Sequence, residues 1–421
     1  MPHFHPRRRF LKALGALPLA AAPPKASPIA AVDITRFTGR RERQEGVDAQ
    51  PIGNPIHIYE AFRPKPYRDN PNPATSVTSV SALYLTIRTA DGLEGLYGPI
   101  DTECVPVIER QLKQFLMGKD ALAVETVWDQ MYRFNRHARV GHLMMAISAI
   151  DNALWDLRGR YYKAPVYRLL GGPTRARIDA YGSCLGFSIE PALAAMKAAE
   201  LQRQGYRHQK WFLTYGPGDG REGLQKNVEL ALALRQAVGE TTDLMFDAFM
   251  GWNLDYALEW CKRVEPMRPR WLEEAFLPDR LDAFVALRRQ TSVPIATGEH
   301  FYNRWEAQKF LASGAISVCQ ADPEWCGGVS ELVKICHLGS LYDAQVVPHG
   351  HSIHAALHVV AAQSPATCPL VENLITKMRW YYWFEKDWPE VRNGQIELND
   401  RPGFGILIDD SRVERRETVK L

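Results

Sequence analysis

The chain has 421 residues, of which 46% are hydrophobic and 24% are charged, and its formal net charge is +3. This length and composition are typical of a globular protein with a large buried core, and they exclude a chain that is disordered throughout. The small positive charge gives no basis for nucleic-acid binding, and no stripe of basic and aromatic residues indicates it.

Residues 1–26 have the pattern of an export signal. The basic run RRRFLK begins at Arg7 and precedes an apolar stretch from Ala13 to Ala22, which is too short to span a membrane. This pattern resembles a twin-arginine signal and predicts a periplasmic or otherwise exported protein, without a membrane span in its mature form. The alternative is a basic tail on a cytoplasmic protein. Cleavage near residues 22–26 would remove five positively charged residues and change the net charge from +3 to −2.

Residues 29–176 predict an α+β domain. Residues 79–88 alternate between apolar and polar side chains, as in a half-buried strand, and Met144 to Tyr162 have helical periodicity that ends before Pro165. The polar, proline-rich segment from Phe62 to Ala74 predicts a long irregular loop of the kind that often covers a site.

From residue 177 to 393, short apolar runs alternate with amphipathic helical segments such as Glu190 to Gln204. Alternation of this kind predicts parallel strands joined by helices, and eight such strands predict a (β/α)7β barrel like that of triosephosphate isomerase. Residues 394–421 are too few for another domain, and we expect them to pack on the N-terminal capping domain. The predicted strands are 178–185, 206–213, 243–248, 270–275, 293–297, 316–321, 344–347 and 369–371.

Ionisable residues recur at the ends of five successive predicted strands. Asp247, Glu273 and Glu299 are each 26 residues after the previous one, and Asp322 and His349 follow at similar steps. Because this interval is one strand and one helix, the five side chains should lie on one rim of the barrel, where barrel enzymes carry their catalytic residues. The alternative is that they are solvated acids of the rim.

Several short motifs, taken in order, resemble those of the enolase superfamily, and they cover about residues 30–410. The mandelate racemase subgroup fits best, and within it the branch of L-rhamnonate dehydratase-like acid-sugar dehydratases. The resemblance implies one Mg²⁺ per subunit, a small-molecule carboxylate substrate and a homo-oligomer. The motifs are IDNALWD, the lysine of HQKWF, FDAF, WLEEAF, TGEH, QADPEWCGG, VVPHGHS and RPGFG.

Asp247, Glu273 and Glu299 match the three metal ligands of that family. Three carboxylates from neighbouring strands form a site of hard oxygen ligands, which suits Mg²⁺. Glu274 competes with its neighbour Glu273 for the third position. Adjacent strand residues point to opposite faces, and the 26-residue interval favours Glu273.

His349 and Asp322 match the family's general base and the carboxylate that orients it. A carboxylate that holds one imidazole nitrogen fixes the tautomer and makes the other nitrogen more basic. His351 is the alternative base, because it lies two residues further along the same motif.

Lys210 matches the first lysine of the subgroup's Lys-x-Lys strand, but Phe212 occupies the place of the second. The resemblance implies that Lys210 contacts the substrate carboxylate, while the alternative is a cation that balances the acids of the rim. Phe212 cannot transfer a proton. The histidine face then has the only evident base, which favours elimination over racemisation.

Five further residues are assigned from the resemblance or from position. Glu372 matches the acid that donates a hydrogen bond to the enolate oxygen, which requires a raised pKa. The possible substrate contacts are His300, His57, Arg63 and Arg68, of which the last three lie in loops of the N-terminal domain and are alternatively solvated loop residues.

The combined pattern predicts a Mg²⁺-dependent carbon–oxygen lyase. It would remove the C2 proton of an aldonate such as L-rhamnonate and eliminate the C3 hydroxyl, giving a 2-keto-3-deoxy acid. One alternative is a racemase or epimerase that uses the same enediolate. The other is a non-catalytic sugar-acid binder, which the complete set of five site residues disfavours.

Overall fold

The computed structural model describes residues 27–65 and 67–421. The twin-arginine-type signal predicted over residues 1–26 lies outside the described residues. No helix in the described ranges has the length and apolar composition needed to cross a membrane.

The strands are, in chain order, β1 (Ile29–Gln44), β2 (Thr75–Thr89), β3 (Glu94–Tyr97), β4 (Arg177–Ser183), β5 (His208–Phe212), β6 (Asp243–Asp247), β7 (Trp271–Glu273), β8 (Ile295–Thr297), β9 (Val318–Cys319), β10 (Gln345–Val346), β11 (Leu370–Leu374), β12 (Glu385–Lys386), β13 (Gln395–Glu397), β14 (Leu407–Ile408) and β15 (Arg415–Val419). The α-helices are α1 (Cys104–Val107), α2 (Lys113–Leu116), α3 (Val124–Phe134), α4 (His142–Tyr162), α5 (Val166–Leu169), α6 (Pro191–Arg203), α7 (Gly220–Val238), α8 (Leu254–Val264), α9 (Leu281–Gln290), α10 (Arg304–Ala312), α11 (Gly328–Leu341), α12 (His354–Ala362) and α13 (Ile375–Tyr381).

The N-terminal part is an antiparallel sheet with helices packed on it. The sheet has the order β15-β1-β2-β3, and the long strands β1 and β2 pair along almost their whole length. Helix α4 packs on β3 and also on α11 of the barrel. Most of its residues are buried, as expected for a helix that has protein on both sides. Helix α4 of the α+β capping domain therefore also packs against the barrel.

The second part is the parallel barrel that the sequence predicts. Its strand order is β10-β9-β8-β7-β6-β5-β4-β11, so the eighth strand pairs with the first, and helices α6 to α12 connect successive strands. Near the end strands β10 and β11, the Val346 N–H donates to the Thr367 carbonyl at 2.8 Å. Each of the eight predicted strand segments overlaps an observed strand, which confirms the predicted fold class.

Strand alternation explains why ionisable groups line the barrel mouth. Seven apolar side chains form one buried cluster within the barrel: Tyr181, Met245, Trp271, Ala296, Val318, Val347 and Leu370. Residues two positions further along a strand point to the same face, one layer nearer the carboxyl ends. That next layer contains Asp247, Glu273, His349 and Glu372.

The C-terminal tail contacts both parts of the molecule. Strand β13 pairs antiparallel with the first barrel strand β4, whereas β15 joins the capping sheet by pairing with β1. The segment from residue 394 onward therefore links the barrel to the capping domain.

Candidate active site at the barrel mouth

Strand register places three of the candidate residues side by side. Phe212 is the register partner of Asp247, and Asp247 is the register partner of Glu273. All three side chains are buried. Lys210 lies one layer deeper, beside Met245 of the apolar layer, so its amine extends upward toward the acids.

The three predicted metal ligands are buried acids whose pKa values are raised. Burial is the largest cause for each, and it raises the pKa of Asp247 to about 6, of Glu273 to about 8 and of Glu299 to about 7. Neighbouring carboxylates contribute in the same direction: Glu274 and Glu299 act on Asp247, and Glu274 acts on Glu299. The site therefore concentrates more negative charge than its own cations balance.

Glu273 and Glu274 both lie inside the site but make different contacts. Glu273 is ion-paired with Lys210 and accepts a hydrogen bond from Trp271 Nε1 at 2.8 Å. Glu274 has φ of +46°, which interrupts the strand alternation, and its Oε1 accepts from Thr297 Oγ1 at 3.2 Å. Glu273 faces the barrel interior, as strand alternation predicts, and Glu274 also approaches the site because the strand ends at Glu273.

Lys210 is enclosed by acids and is 1% exposed. Its Nζ contacts Glu273 and lies 3.2 Å from Asp247 Oδ2 and 2.9 Å from Glu372 Oε1. Burial lowers the pKa of Lys210, but the surrounding carboxylates outweigh burial and raise it well above its usual value. Lys210 is therefore a permanent cation at the floor of the site.

His349 and Asp322 form the pair that the sequence predicts. His349 Nδ1 lies 2.6 Å from Asp322 Oδ2, and its Nε2 is 3.5 Å from Glu299 Oε2. Burial lowers the pKa of His349, but Glu299, Asp322 and Glu372 together raise it to about 10. The Nδ1 atom is thus committed to Asp322, and Nε2 is the nitrogen that faces the carboxylates.

Glu372 does not have the raised pKa that the sequence analysis requires of it. Burial does act in that direction, but Lys210, His349 and the Gly350 N–H favour the charged form more strongly, and the pKa falls to about 2. Gly350 N donates to Glu372 Oε2 at 2.8 Å. The expectation of a protonated Glu372 is therefore wrong, because Lys210 and His349 lie close enough to this acid to outweigh its burial.

His300 lies at the mouth of the site rather than on the opposite face of its strand. Its Nδ1 is 3.3 Å from Glu274 Oε1 and 3.5 Å from Glu299 Oε1. Burial lowers its pKa, but both acids outweigh burial and raise it to about 8. The ring also lies near Trp325, with centroids 5.8 Å apart.

Two of the three capping-domain candidates, His57 and Arg63, lie at the edge of the barrel mouth. A Cβ at Gly53 would be 2.7 Å from the Leu213 carbonyl, so this loop rests directly on the end of β5. His57 faces Asp219 and has a buried Nδ1 without a hydrogen bond among the described residues. Arg63 donates to the His57 carbonyl at 3.0 Å and so braces its own loop, and Arg68 is exposed.

The donor set fits a hard divalent cation such as Mg²⁺. Glu274 and Glu299 lie near enough to Asp247 to raise its pKa, and the buried Glu274 Oε2 has no hydrogen-bond partner among the described residues. Ligand atoms of Glu274, Glu299 and His300 lie within 4.8 Å of one another. A cation would offset the repulsion that contributes to the raised pKa values of Asp247, Glu273 and Glu299.

Trp325 and Asp101, for which no role was predicted, form a group beside the proposed base together with His351. The Trp325 indole stacks on His349 with centroids 5.1 Å apart, and it hydrogen-bonds to Asp101 of the capping domain at 2.9 Å. His351, considered only as an alternative base, lies 2.7 Å from the same Asp101 through Nε2. Trp325 stands within the motif QADPEW, which was the available signal for it. Asp101 is more than 200 positions earlier in the chain, and nothing in the sequence pointed to it.

Comparison with known families agrees with this architecture. Residues 193–412 match the model described as "Enolase C-terminal domain-like". Residues 62–171 match the model "Mandelate racemase / muconate lactonizing enzyme, N-terminal domain". Each match falls within one of the two parts of the fold.

Similar proteins are found among curated sequences and solved structures. An L-rhamnonate dehydratase from Saccharopolyspora erythraea is 31% identical, and the alignment covers 87% of this chain and 91% of that protein. The crystal structure of L-rhamnonate dehydratase from Gibberella zeae has a TM-score of 0.77 and 29% identity, covering 93% of this chain and 96% of that one. A Gibberella zeae rhamnonate dehydratase structure complexed with Mg has a TM-score of 0.75 and 28% identity, over 92% and 95% of the two chains. The chain belongs to the mandelate racemase and muconate lactonizing enzyme family of the enolase superfamily.

Proposed function

We propose that this protein is a Mg²⁺-dependent hydro-lyase that dehydrates a sugar acid, with an aldonate similar to L-rhamnonate as substrate. The observation that carries the proposal is the His349–Asp322 pair beside a cluster of buried carboxylates, with Phe212 in place of a second base. The similarity to L-rhamnonate dehydratases supports the substrate class.

Asp247, Glu273 and Glu299 would hold one Mg²⁺ per subunit. When bound, the ion would offset the negative charge that develops on the substrate carboxylate as the C2 proton leaves. The excess of buried acids supports this assignment. Glu274 is the competing third ligand, because its free oxygen lies next to Glu299.

His349 is the proposed general base. Its Nδ1–H donates to Asp322, which leaves Nε2 to take the C2 proton. The surrounding carboxylates raise the pKa of His349 to about 10, so Nε2 would become free to act as a base once a bound cation offsets their charge. The C2–H electron pair forms the enediolate. The imidazolium then returns this proton to the C3 hydroxyl, which leaves as water, and the resulting enol tautomerises to the 2-keto-3-deoxy acid. Atoms balance, since the substrate loses one water.

Lys210 would stabilise the developing negative charge, whereas the ionised Glu372 would position groups around it. Lys210 is a buried cation shared by three carboxylates, and Glu372 also fixes the Gly350 N–H next to His349. Because Lys210 is 1% exposed, a direct contact with the substrate requires that one of its carboxylate partners moves away. We propose that Lys210 contacts the substrate carboxylate in this way.

Phe212 favours dehydration over the alternative reaction. Racemases and epimerases need a second base on the opposite face of C2, and a phenyl ring beside Asp247 cannot supply one. Among the candidate substrate contacts, His300 has the strongest support, since it lies between the carboxylate cluster and Trp325. His57, Arg63 and Arg68 would act only if their loop moved over the bound substrate.

Turnover of a panel of aldonic and aldaric acids with Mg²⁺ tests the proposal. We expect a 2-keto-3-deoxy acid from at least one aldonate and no product after His349→Asn. Interconversion of C2 epimers without a keto product would favour an epimerase instead. Saturable binding without any turnover, unaffected by His349→Asn, would favour a non-catalytic sugar-acid binder.

We also propose export through the twin-arginine route and assembly into a homo-oligomer. The run RRRFLK and the apolar stretch that follows support export. Cell fractionation of the full chain against a variant with both Arg8 and Arg9 changed to Lys tests export, and light scattering on a sizing column tests assembly.

A further inference from the structure

The capping domain is hydrogen-bonded to the loop that contains Asp322, the partner of the proposed base His349. This loop, residues 322–327, lies between β9 and α11 and contains Asp322 and Trp325; we refer to it as the base loop. Four capping-domain side chains bond to it. The Tyr97 hydroxyl donates to Glu324, Trp128 Nε1 donates to the Gly327 carbonyl at 2.7 Å, Ser148 Oγ accepts from Gly327 N at 2.8 Å, and Asn152 Nδ2 donates to the Pro323 carbonyl at 3.2 Å.

A fifth capping-domain residue, Asp101, makes two contacts that lead to His349. Asp101 Oδ2 accepts a hydrogen bond from Trp325 Nε1 at 2.9 Å. Asp101 Oδ1 lies 2.7 Å from His351 Nε2. The Asp101 carboxylate therefore links Trp325 of the base loop to His351, which follows β10.

Both contacts of Asp101 converge on the His349–Asp322 pair. The indole of Trp325 stacks on the His349 imidazole, with centroids 5.1 Å apart and ring planes inclined by 29°. The backbone N–H of His351 donates to Asp322 Oδ2 at 3.1 Å, the oxygen that also lies 2.6 Å from His349 Nδ1. One contact thus fixes the plane of the proposed base, and the other fixes the carboxylate that orients it.

Lys377 of α13 determines which ring nitrogen of His351 carries the hydrogen. Its Nζ lies 2.9 Å from His351 Nδ1 and donates to the His351 carbonyl at 2.9 Å. An ammonium has only donors, so His351 Nδ1 accepts and its Nε2 carries the hydrogen that is donated to Asp101. The ring is thereby held in one tautomer between Lys377 and Asp101, and the backbone N–H of the same residue bonds to Asp322.

We propose that Asp101 is a positioning residue for His349, acting through Trp325 and His351. This inference rests on the proposed role of His349 as the base. It gives the capping domain a part in proton transfer, in addition to any part in substrate recognition. Without Asp101, the indole loses its hydrogen-bond acceptor and the His351 ring keeps only its contact with Lys377.

Asp101→Ala removes both contacts, and Trp325→Phe removes the indole N–H while it keeps an aromatic ring against His349. Glu103→Gln is the matched control, because Glu103 is an exposed carboxylate two residues further along the same loop. For each protein we would measure kcat and KM on the aldonate that is turned over, the thermal midpoint, and the proton NMR signal of His349 Nδ1, assigned by its loss in His349→Asn.

For Asp101→Ala we expect kcat to fall by about ten- to a hundredfold with little change in KM, because small misplacements of a catalytic group are costly. Trp325→Phe should show a smaller fall, and Glu103→Gln should match wild type. The His349 Nδ1 signal should broaden or vanish in Asp101→Ala.

Three outcomes would overturn the inference: an unchanged kcat, a loss confined to KM, or a lowered thermal midpoint with an unchanged Nδ1 signal. The NMR signal does not depend on turnover. It therefore separates failure of this inference from failure of the proposed function.

Discussion

Glu273 and Glu274 are consecutive in the chain, yet their carboxylates have different partners. Glu273 is paired with Lys210 in the barrel interior, whereas Glu274 turns toward Thr297, Glu299 and His300 at the mouth. The left-handed backbone of Glu274, with φ of +46°, makes this possible. Two neighbouring acids thus compete for one position in the proposed metal site.

Substitution of Glu273 and Glu274 one at a time should show which of the two binds Mg²⁺ directly. We expect Glu273→Gln to abolish measurable Mg²⁺ binding, whereas Glu274→Gln should weaken it by about ten- to a hundredfold, the usual effect of losing a supporting contact. Isothermal titration of the substrate-free protein with Mg²⁺ measures both. The reverse order of effects would make Glu274 the ligand.

Binding of Mg²⁺ should release protons near neutral pH. Burial and neighbouring acids raise the pKa of Glu273 to about 8 and of Glu299 to about 7, and His349 has a pKa of about 10. Because ligands must be deprotonated, the apparent affinity should rise as the pH rises from about 6 to 8. Titrations in buffers of different ionisation enthalpy report the proton count. An affinity that is independent of pH would contradict the prediction.

Substitution of His349 or of Asp322 should lower turnover without preventing Mg²⁺ binding. We expect His349→Asn to lower kcat by about 10²- to 10⁴-fold while Mg²⁺ still binds, because proton abstraction is lost and the carboxylates remain. Asp322→Asn should also lower kcat, since an amide stabilises the imidazolium less well. Steady-state kinetics with metal-loaded protein measure both effects. Near-normal turnover by His349→Asn would transfer the role of base to His351.

His358 should make the fold sensitive to acid. Burial, together with nearby His354, lowers its pKa from 6.5 to about 3, and its Nδ1 accepts from Tyr167 N at 3.1 Å. Below pH 6.5 the unfolded chain binds a proton that the folded chain does not bind until about pH 3. Stability therefore falls as the pH falls through this window, by about 1.4 kcal/mol for each pH unit.

The variant His358→Gln keeps an acceptor for Tyr167 N but cannot be protonated. Its thermal midpoint should fall less steeply between about pH 6.5 and 4 than that of the wild type. Equal slopes for the two proteins would show that His358 does not carry this dependence.

The sequence predicted the barrel because its signal is local and repeated. Each strand is a short apolar run, each connection is an amphipathic helix, and the 26-residue spacing of Asp247, Glu273 and Glu299 follows from that repeat. The pairing of His349 with Asp322 was also predictable, since successive strand ends of a barrel are neighbours.

The properties that were missed depend on contacts between distant parts of the chain. The charge state of Glu372 depends on Lys210, which lies more than 160 positions earlier, and on the Gly350 N–H. Asp101 reaches Trp325 only because the capping domain packs on the barrel. The approach of Glu274 depends on one left-handed backbone position that strand alternation does not predict.

A proton NMR time course of L-rhamnonate with the Mg²⁺-loaded protein in D₂O tests the central claim most directly. The proposal predicts loss of substrate matched by a 2-keto-3-deoxy acid, with no C2 epimer of the substrate and no reaction by His349→Asn. If another aldonate is the true substrate, the same result is expected with that acid. Accumulation of a C2-deuterated epimer without any keto acid would contradict the proposal.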